Sequence, residues 1–297
     1  MLRAFRIGCL WSTIAVLALV AFSLAVMVWQ GRQTPHGPPV YVALGSSFAA
    51  GADLGPLQPG SPWLCARSTN GYPQQLARKL HLPIDDMSCG GATARHVVDG
   101  GQFFQGPQLR VVDAQTRLVT ITVGGNDIGY IGDLSMLAAR NSKSAFGWLV
   151  RHLWEGPGAA GDRDYSKLQQ NLISTVRTIR KRSPRAIIVL ATYPAILPPS
   201  GTCPRLALRS FEADLMRDVA SRLAAATRAA AREAGATLVD MQVVGEAHNA
   251  CSAQPWTRGW TNGGIAPFHP TLQGARATAE TIAATLGRSP TGVTAVR

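Results

Sequence analysis

The amino-acid sequence predicts an α/β domain with a mostly parallel β-sheet, helices on both faces of the sheet, and one apolar helix before it. Compact apolar runs typical of buried strands alternate with segments that have helical apolar spacing. With 46% hydrophobic and 15% charged residues, the chain can bury a sizeable core and is not largely disordered. No unit of about 20 to 50 residues recurs, which argues against solenoids and propellers.

The elements follow one another in a regular order. Strands are predicted over residues 40–44, 118–123, 186–192 and 237–244, with one more short strand before residue 88. Helices are predicted over residues 72–81, 165–182, 206–234 and 270–286. In such sheets, ligands bind beyond the carboxyl ends of the strands. The turns at Gly45, Gly91 and Gly124 and the loop before His269 are all expected at that edge.

The N-terminal segment is predicted to span a membrane. Ile7 to Trp29 is a run of 23 uncharged residues, and as a helix it would extend about 34 Å, enough to cross a hydrocarbon core. Arg3 and Arg6 precede it, which favours a cytoplasmic N-terminus and export of the remainder. The alternative is a cleaved signal peptide, but its apolar region is normally about 7–15 residues long and ends in a small-residue cleavage site.

This interpretation divides the chain into five parts. We predict a cytoplasmic N-terminus (1–6), a membrane anchor (7–29), a linker (30–39), an extracytoplasmic domain (40–287) and a flexible tail (288–297). The domain is therefore expected at the outer face of the cell membrane. Secretion after signal cleavage is the alternative localisation.

The chain carries a formal net charge of +12. Such a charge suggests a nucleic-acid binder, but the basic residues are spread along the sequence. Their longest cluster, residues 180–182, falls at the end of a predicted helix, where positive charge suits the helix dipole. We therefore predict no nucleic-acid partner.

Four cysteines follow the apolar segment, and export favours disulfides between them. They include no C-x-x-C pair, which argues against metal binding. Three connectivities are possible. We choose Cys65–Cys89 with Cys203–Cys251, since each bridge then closes a loop within one half of the chain.

The turns at the predicted edge carry the residue types that acyl transfer requires. A serine in GSSFAAG follows the first strand, the Gly91 N–H and the Asn126 amide can face a developing oxyanion, and His269 can act as a base. Taken singly, each has a plainer interpretation. Gly91 can be a tight turn, Asn126 can cap a helix that begins near Asp127, and His269 can be a surface or capping group.

The order and spacing of four segments resemble the SGNH hydrolase (GDSL-like lipase/esterase) superfamily, in its secreted actinobacterial-type branch. The four segments are VALGSSFAAG, SCGGATA, TVGGNDIG and APFHPTLQG. The resemblance covers about residues 41–286 and implies a flavodoxin-like three-layer α/β/α fold. It also implies Ser47 as nucleophile, His269 as base, and an oxyanion hole from the Ser47 N–H, Gly91 and Asn126. The placement of the cysteines in this branch supports the chosen disulfides.

The sequence departs from the family pattern at two positions. Ser46 stands where the family has an aspartate, and Ala266 stands where the acid normally lies three residues before the histidine. We therefore expect a Ser47–His269 dyad in which the Ala266 main-chain carbonyl orients the imidazole. Asp240, at the end of the last strand, is the alternative acid, with a structural role at that strand end as its plainer interpretation.

The resemblance implies an extracytoplasmic serine esterase or lipase that works through an acyl-enzyme. Its substrate would be an ester-bearing lipid or glycan, and it would need neither metal nor cofactor. A deacetylase or acyltransferase acting on cell-envelope glycans, and a catalytically inactive binding protein, are the alternatives. The segment between residues 141 and 164 contains several aromatic and aliphatic side chains. We expect it to form a mobile flap, either near the site or against the membrane; buried packing is the alternative. These side chains are Phe146, Trp148, Leu149, Leu153 and Trp154.

Overall fold

The computed structural model describes residues 2–33, 39–261 and 264–288. Five parallel strands form one sheet in the order β2-β1-β3-β4-β5, which is the flavodoxin-like order. The strands are β1 (Tyr41–Gly45), β2 (Ile84–Asp86), β3 (Leu118–Thr122), β4 (Ile187–Ala191) and β5 (Thr237–Val239). Every residue of β1 and β3 is buried, as expected for central strands covered on both faces. The predicted fold class is confirmed.

The described residues form ten α-helices, several of which cover the two faces of the sheet. They are α1 (Leu2–Arg32), α2 (Ser47–Ala50), α3 (Tyr72–Leu80), α4 (Ala94–Asp99), α5 (Tyr130–Asn141), α6 (Ala145–Leu153), α7 (Tyr165–Arg182), α8 (Ser210–Ala234), α9 (Met241–Val244) and α10 (Leu272–Arg288). Because side chains alternate along a strand, Val42 and Leu44 of β1 pack against the layer of α4, α5, α7 and α8, whereas Tyr41 and Ala43 pack against α3 and α10.

Three predicted boundaries were wrong. Helix α8 begins at Ser210 rather than at residue 206, because residues 204–206 form a separate turn that ends with Ala207 in the left-handed region. Strand β5 ends at Val239, and residues 241–244 form α9 instead of continuing the strand. The helix after Asp127 starts only at Tyr130, where Gly129, at a φ of 71°, precedes its first turn.

Both predicted disulfides are present. Cys65–Cys89 joins residues 24 apart in sequence and Cys203–Cys251 joins residues 48 apart. The first ties the turn after β2 to the short helical turn at residues 63–65. The second ties the segment after β4 to the one after α9.

The apolar N-terminal segment is helical, as predicted. Trp11–Arg32 of α1 has a mean hydropathy of 2.3, and none of its most apolar window is buried in the domain. By length and composition this helix can cross a membrane. Residues 34–38 of the predicted linker and 289–297 of the predicted tail lie outside the described residues.

Candidate active site

Ser47 lies where β1 ends at the carboxyl edge of the sheet. The chain turns sharply at Gly45, whose φ is 139°, and a Cβ there would collide with the Thr122 carbonyl of the neighbouring strand. Only glycine therefore allows this close approach. Ser47 then begins α2, and its side chain stays partly exposed at the edge.

His269 reaches the same edge from the loop before α10. Its Nε2 lies 2.7 Å from the Ser47 Oγ. The imidazole packs on the buried Phe48 ring, with centroids 5.2 Å apart. Just before it, Phe268 is fully buried with a φ of 61°, a conformation that the packing around its ring must hold in place.

A main-chain carbonyl holds the other imidazole nitrogen. The His269 Nδ1 lies 2.8 Å from the Pro267 carbonyl oxygen, which can only accept a hydrogen bond. This assigns the proton to Nδ1 and leaves Nε2 unprotonated to accept from the Ser47 hydroxyl. The expected acceptor was the Ala266 carbonyl. The observed acceptor is the carbonyl one residue later, that of Pro267, and the Ala266 backbone is a second, weaker partner of the ring.

The surroundings of His269 favour its neutral form. Burial lowers the pKa of the imidazole below its ordinary value, and the positive charge of Arg258 acts in the same direction. The Pro267 carbonyl and the Asp53 carboxylate oppose this by favouring the imidazolium. Since the net pKa shift is downward, the ring can act as a base at neutral pH.

Backbone N–H groups without partners lie at the two turns beside Ser47. Among the described residues, neither the Ser47 N–H nor the Gly91 N–H has a hydrogen-bond partner. Ser47 is the first residue of α2, where N–H groups have no acceptor within the helix. The Gly91 turn is tied to β1, since the Cys89 N–H donates to the Gly45 carbonyl at 3.0 Å. Both groups can therefore donate to a substrate oxyanion.

Asn126 belongs to this edge and is not a helix cap. Its Nδ2 donates to the Ala92 carbonyl at 2.9 Å, which uses one amide hydrogen and fixes the side chain against the Gly91 turn. The adjacent Asp127 carboxylate accepts from the Ala94 N–H at 3.0 Å and secures the same contact. The second Asn126 amide hydrogen remains available for an oxyanion.

Tyr193, which the sequence analysis did not single out, joins the first and third turns. Its hydroxyl lies 2.9 Å from the Ser46 Oγ and accepts from the Gly125 N–H at 3.1 Å. Burial raises the pKa of Tyr193 to about 12, so the hydroxyl keeps its proton. Ser46, where the family has an aspartate, is therefore part of a neutral buried network. The sequence could have indicated Tyr193 as a residue of this site, because Tyr193 directly follows a predicted strand and therefore lies at the same edge of the sheet.

Two further contacts were missed by the sequence analysis. The buried Gln108 amide pairs with both the N–H and the carbonyl of Gly45, at 2.8 and 3.0 Å. Arg258 binds the Asp53 carboxylate, with Nη1 and Oδ2 2.5 Å apart. Gln108, Asp53 and Arg258 belong to none of the four motif segments, so the spacing of those segments gave no signal for them.

Asp240 lies in a different environment from His269. Its carboxylate pairs with Arg228, with Nε and Oδ2 2.6 Å apart, and accepts from the Thr192 hydroxyl at 3.0 Å. These contacts fix the end of β5 and fit the structural role that was its plainer interpretation.

A serine and a histidine in contact at the carboxyl edge of this sheet, beside a glycine and an asparagine, define a serine ester hydrolase of the SGNH type. The chain belongs to the GDSL-like lipase/acylhydrolase family, which matches residues 43–277.

Relatives and solved structures agree with this family. The chain is 30% identical to Lipase 2 of Streptomyces coelicolor over 285 residues, covering 91% of this chain and 93% of the relative. An extracellular lipase from Streptomyces rimosus has a similar structure, with a TM-score of 0.66, 26% identity, and coverage of 82% of this chain and 98% of that one. The phospholipase A1 from Streptomyces albidoflavus is similar too, with a TM-score of 0.65, 25% identity and coverage of 84% and 100%.

Proposed function

We propose that the protein hydrolyses acyl esters through a covalent intermediate on Ser47. The 2.7 Å contact between the Ser47 Oγ and the unprotonated His269 Nε2 carries this proposal. The Oγ attacks the ester carbonyl while Nε2 takes its proton, and the resulting imidazolium gives that proton to the departing alcohol. Water then repeats the sequence on the acyl-serine, releases the carboxylic acid and regenerates Ser47.

Three donors stabilise the negative charge on the carbonyl oxygen during both steps. They are the N–H groups of Ser47 and Gly91 and the free amide hydrogen of Asn126. All three are held by contacts made before substrate binds, so little reorganisation accompanies the reaction. The Pro267 carbonyl keeps Nδ1–H in place and thereby maintains the tautomer that the base requires.

The proposed substrates are fatty acyl esters of membrane lipids. The similarity to lipases and to a phospholipase A1 supports this class. The apolar helix α1 supports it too, because an anchored enzyme meets lipid esters at the surface of its own membrane. We place the domain outside the cytoplasm with α1 retained. Two disulfides and the similarity to an extracellular lipase support export.

Two measurements test the chemistry. A fluorophosphonate probe is expected to label wild-type protein at Ser47 and to leave Ser47→Ala unlabelled. With p-nitrophenyl esters of increasing chain length, wild type is expected to prefer medium and long acyl chains. Activity on acetyl esters alone would instead support a glycan deacetylase, and absence of labelling in folded protein would support a binding protein.

A separate measurement tests the location. The intact mass of the membrane-bound protein is expected to include α1, and added protease is expected to digest the domain in spheroplasts without lysis. A mature mass that starts after α1 would show signal cleavage and secretion.

A further inference from the structure

Helix α6 presents an unusual surface. It packs on α5 through the buried Gly147 and Val150, and a Cβ at Gly147 would collide with the Ala139 carbonyl. The other side of α6 faces solvent and is largely apolar. Its exposed apolar side chains are Phe146 (53% exposed), Trp148 (56%), Leu149 (43%) and Leu153 (74%). A surface helix normally turns polar side chains outward, so an apolar outer face indicates an interaction site.

A positively charged cavity lies next to this face. It is open and has a volume of about 580 Å³, and none of the described residues that line it is acidic. Its basic lining residues are Arg140, Lys143, Arg151 and Arg209. Arg140 pairs with Glu212 at 2.9 Å, and Arg151 donates to the Arg140 and Ser142 carbonyls at 2.6 and 2.8 Å. Two of the four cations are thus fixed in place around a cavity that remains positive overall.

The α6 face and the cavity lie at the same edge of the sheet as Ser47. Helix α5 begins just after Asn126, at the carboxyl end of β3, and ends at Asn141. Asn141 donates to the Glu212 carboxylate at 2.6 Å, in the first turn of α8. Because α8 connects two parallel strands, its first turn is also at the carboxyl edge. Both ends of α5 are therefore at that edge, and α6 packs on α5.

We propose that α6 and the adjacent cavity form a docking surface for an anionic lipid bilayer. The apolar side chains enter the boundary between headgroups and acyl chains, and the cavity receives a lipid phosphate. Charge complementarity favours this occupant, since aromatic and aliphatic side chains next to clustered Arg and Lys are the combination that interfacial helices use. Docking directs the Ser47 edge toward the bilayer. The inference adds an interface to the proposed function, and its test needs no ester hydrolysis.

The test measures how deeply Trp148 enters the bilayer. The full chain is reconstituted into vesicles of phosphatidylcholine brominated on its acyl chains, either alone or mixed one to one with phosphatidylglycerol. The signal is the quenched tryptophan emission of wild type minus that of Trp148→Phe, which keeps an apolar ring. We expect this difference in the anionic vesicles, a much smaller one in phosphatidylcholine alone, and a decrease with added salt.

Neutralising the cavity is expected to weaken docking. In Lys143→Gln/Arg209→Gln the docking equilibrium constant should fall about five-fold for each lost charge. The matched control is Lys181→Gln/Arg185→Gln, which removes two exposed charges just before β4, at the opposite edge of the sheet. It should dock like wild type. Leu149→Ser/Leu153→Ser should lose the quenching while keeping the thermal unfolding temperature, because both side chains are exposed.

Three outcomes would overturn the proposal. One is Trp148 quenching that is equal in zwitterionic and anionic vesicles. Another is the absence of Trp148-dependent quenching in both. The third is binding of a soluble polyphosphate that depends on Lys143 and Arg209 while Trp148 stays unquenched, which would assign the cavity to a polyanionic polymer. Failure of the esterase assays would leave all three readouts intact.

Discussion

Asp53 and Arg258 form an ion pair that connects the segment after Ser47 with the loop that leads to His269. The Arg258 Nη1 lies 2.5 Å from the Asp53 Oδ2, and its Nη2 donates to the Asp53 carbonyl at 2.7 Å. The Arg258 backbone N–H donates to the His269 carbonyl at 2.8 Å. The pair thus positions His269 relative to Ser47, and its two charges act on the imidazole in opposite directions.

Removing one partner of this pair should shift the pH dependence of catalysis in a direction set by the lost charge. Asp53→Asn removes a negative charge that favours the imidazolium, so the pKa of His269 should fall and the acid limb of kcat/KM should move to lower pH. Arg258→Gln removes a positive charge, so the pKa should rise and the limb should move to higher pH. The measurement is kcat/KM across pH for each variant.

The double variant separates electrostatics from folding. Asp53→Asn/Arg258→Gln should return the acid limb of kcat/KM toward its wild-type position although the ion pair is absent. If the acid limb moved by the same amount in the same direction in both single variants, an electrostatic effect would be contradicted. The ion pair would then have a purely structural role.

The second prediction concerns which of the two adjacent serines reacts with the ester. Ser46 is fully buried and bonded to Tyr193, whereas Ser47 contacts His269. Ser47→Ala should abolish ester hydrolysis, and Ser46→Ala should retain a measurable fraction of it. Tyr193→Phe should lower the free energy of unfolding by about 1–3 kcal/mol, because the buried Gly125 N–H loses its acceptor. Activity assays and urea denaturation test both; activity in Ser47→Ala that is lost in Ser46→Ala would reverse the assignment.

Asn126→Ala should lower turnover because one oxyanion donor is lost. Such a loss typically reduces kcat about 10²- to 10³-fold, and KM should change little because the contact forms in the transition state. The matched control is Asn70→Ala, since Asn70 Nδ2 makes a similar 2.9 Å bond to a backbone carbonyl, that of Leu54. Near-normal kcat in a folded Asn126→Ala protein would limit Asn126 to holding the Ala92 turn.

The sequence predicted the fold and the residues at the strand ends because both depend on local patterns. Apolar runs identified the central strands, and a parallel sheet brings the turns after those strands to one edge. The predicted end of β5 was wrong because tertiary contacts there override the local apolar pattern of the sequence. Asp240 ends β5 by pairing with Arg228 and Thr192, although the apolar pattern continues to Val244.

The residues that support the site were not predictable in the same way. Asp53 meets Arg258 across 205 residues, and Gln108 meets Gly45 across 63. No local spacing encodes these pairs, which exist only after the sheet and loops have assembled. The predicted acceptor of the His269 Nδ1 hydrogen was one residue away from the observed one for a related reason. The buried Phe268, between Pro267 and His269, has a left-handed backbone, which the residue types of that loop do not indicate.

The last prediction concerns what orients His269. A backbone carbonyl accepts the Nδ1 hydrogen, and no carboxylate lies between Glu246 and Glu280 in the sequence. Asp240→Asn should therefore leave kcat and its pH profile unchanged while lowering the unfolding temperature, because Arg228 loses its charged partner. Ala266→Asp places an acid three residues before His269. If it reaches the imidazole, it should raise the pKa of His269, move the acid limb to higher pH, and leave the rate unchanged or improved.

Ala266→Asn is the matched control, because it has the same shape without the charge and should leave the acid limb in place. Loss of activity in a correctly folded Asp240→Asn protein would contradict the main-chain dyad and make Asp240 the orienting acid. Unchanged activity there, together with a limb that moves only in Ala266→Asp, is what a base held by a neutral carbonyl requires. A carbonyl dipole fixes the tautomer but stabilises the imidazolium less than a carboxylate does. A negative charge added at residue 266 supplies this additional stabilisation of the imidazolium.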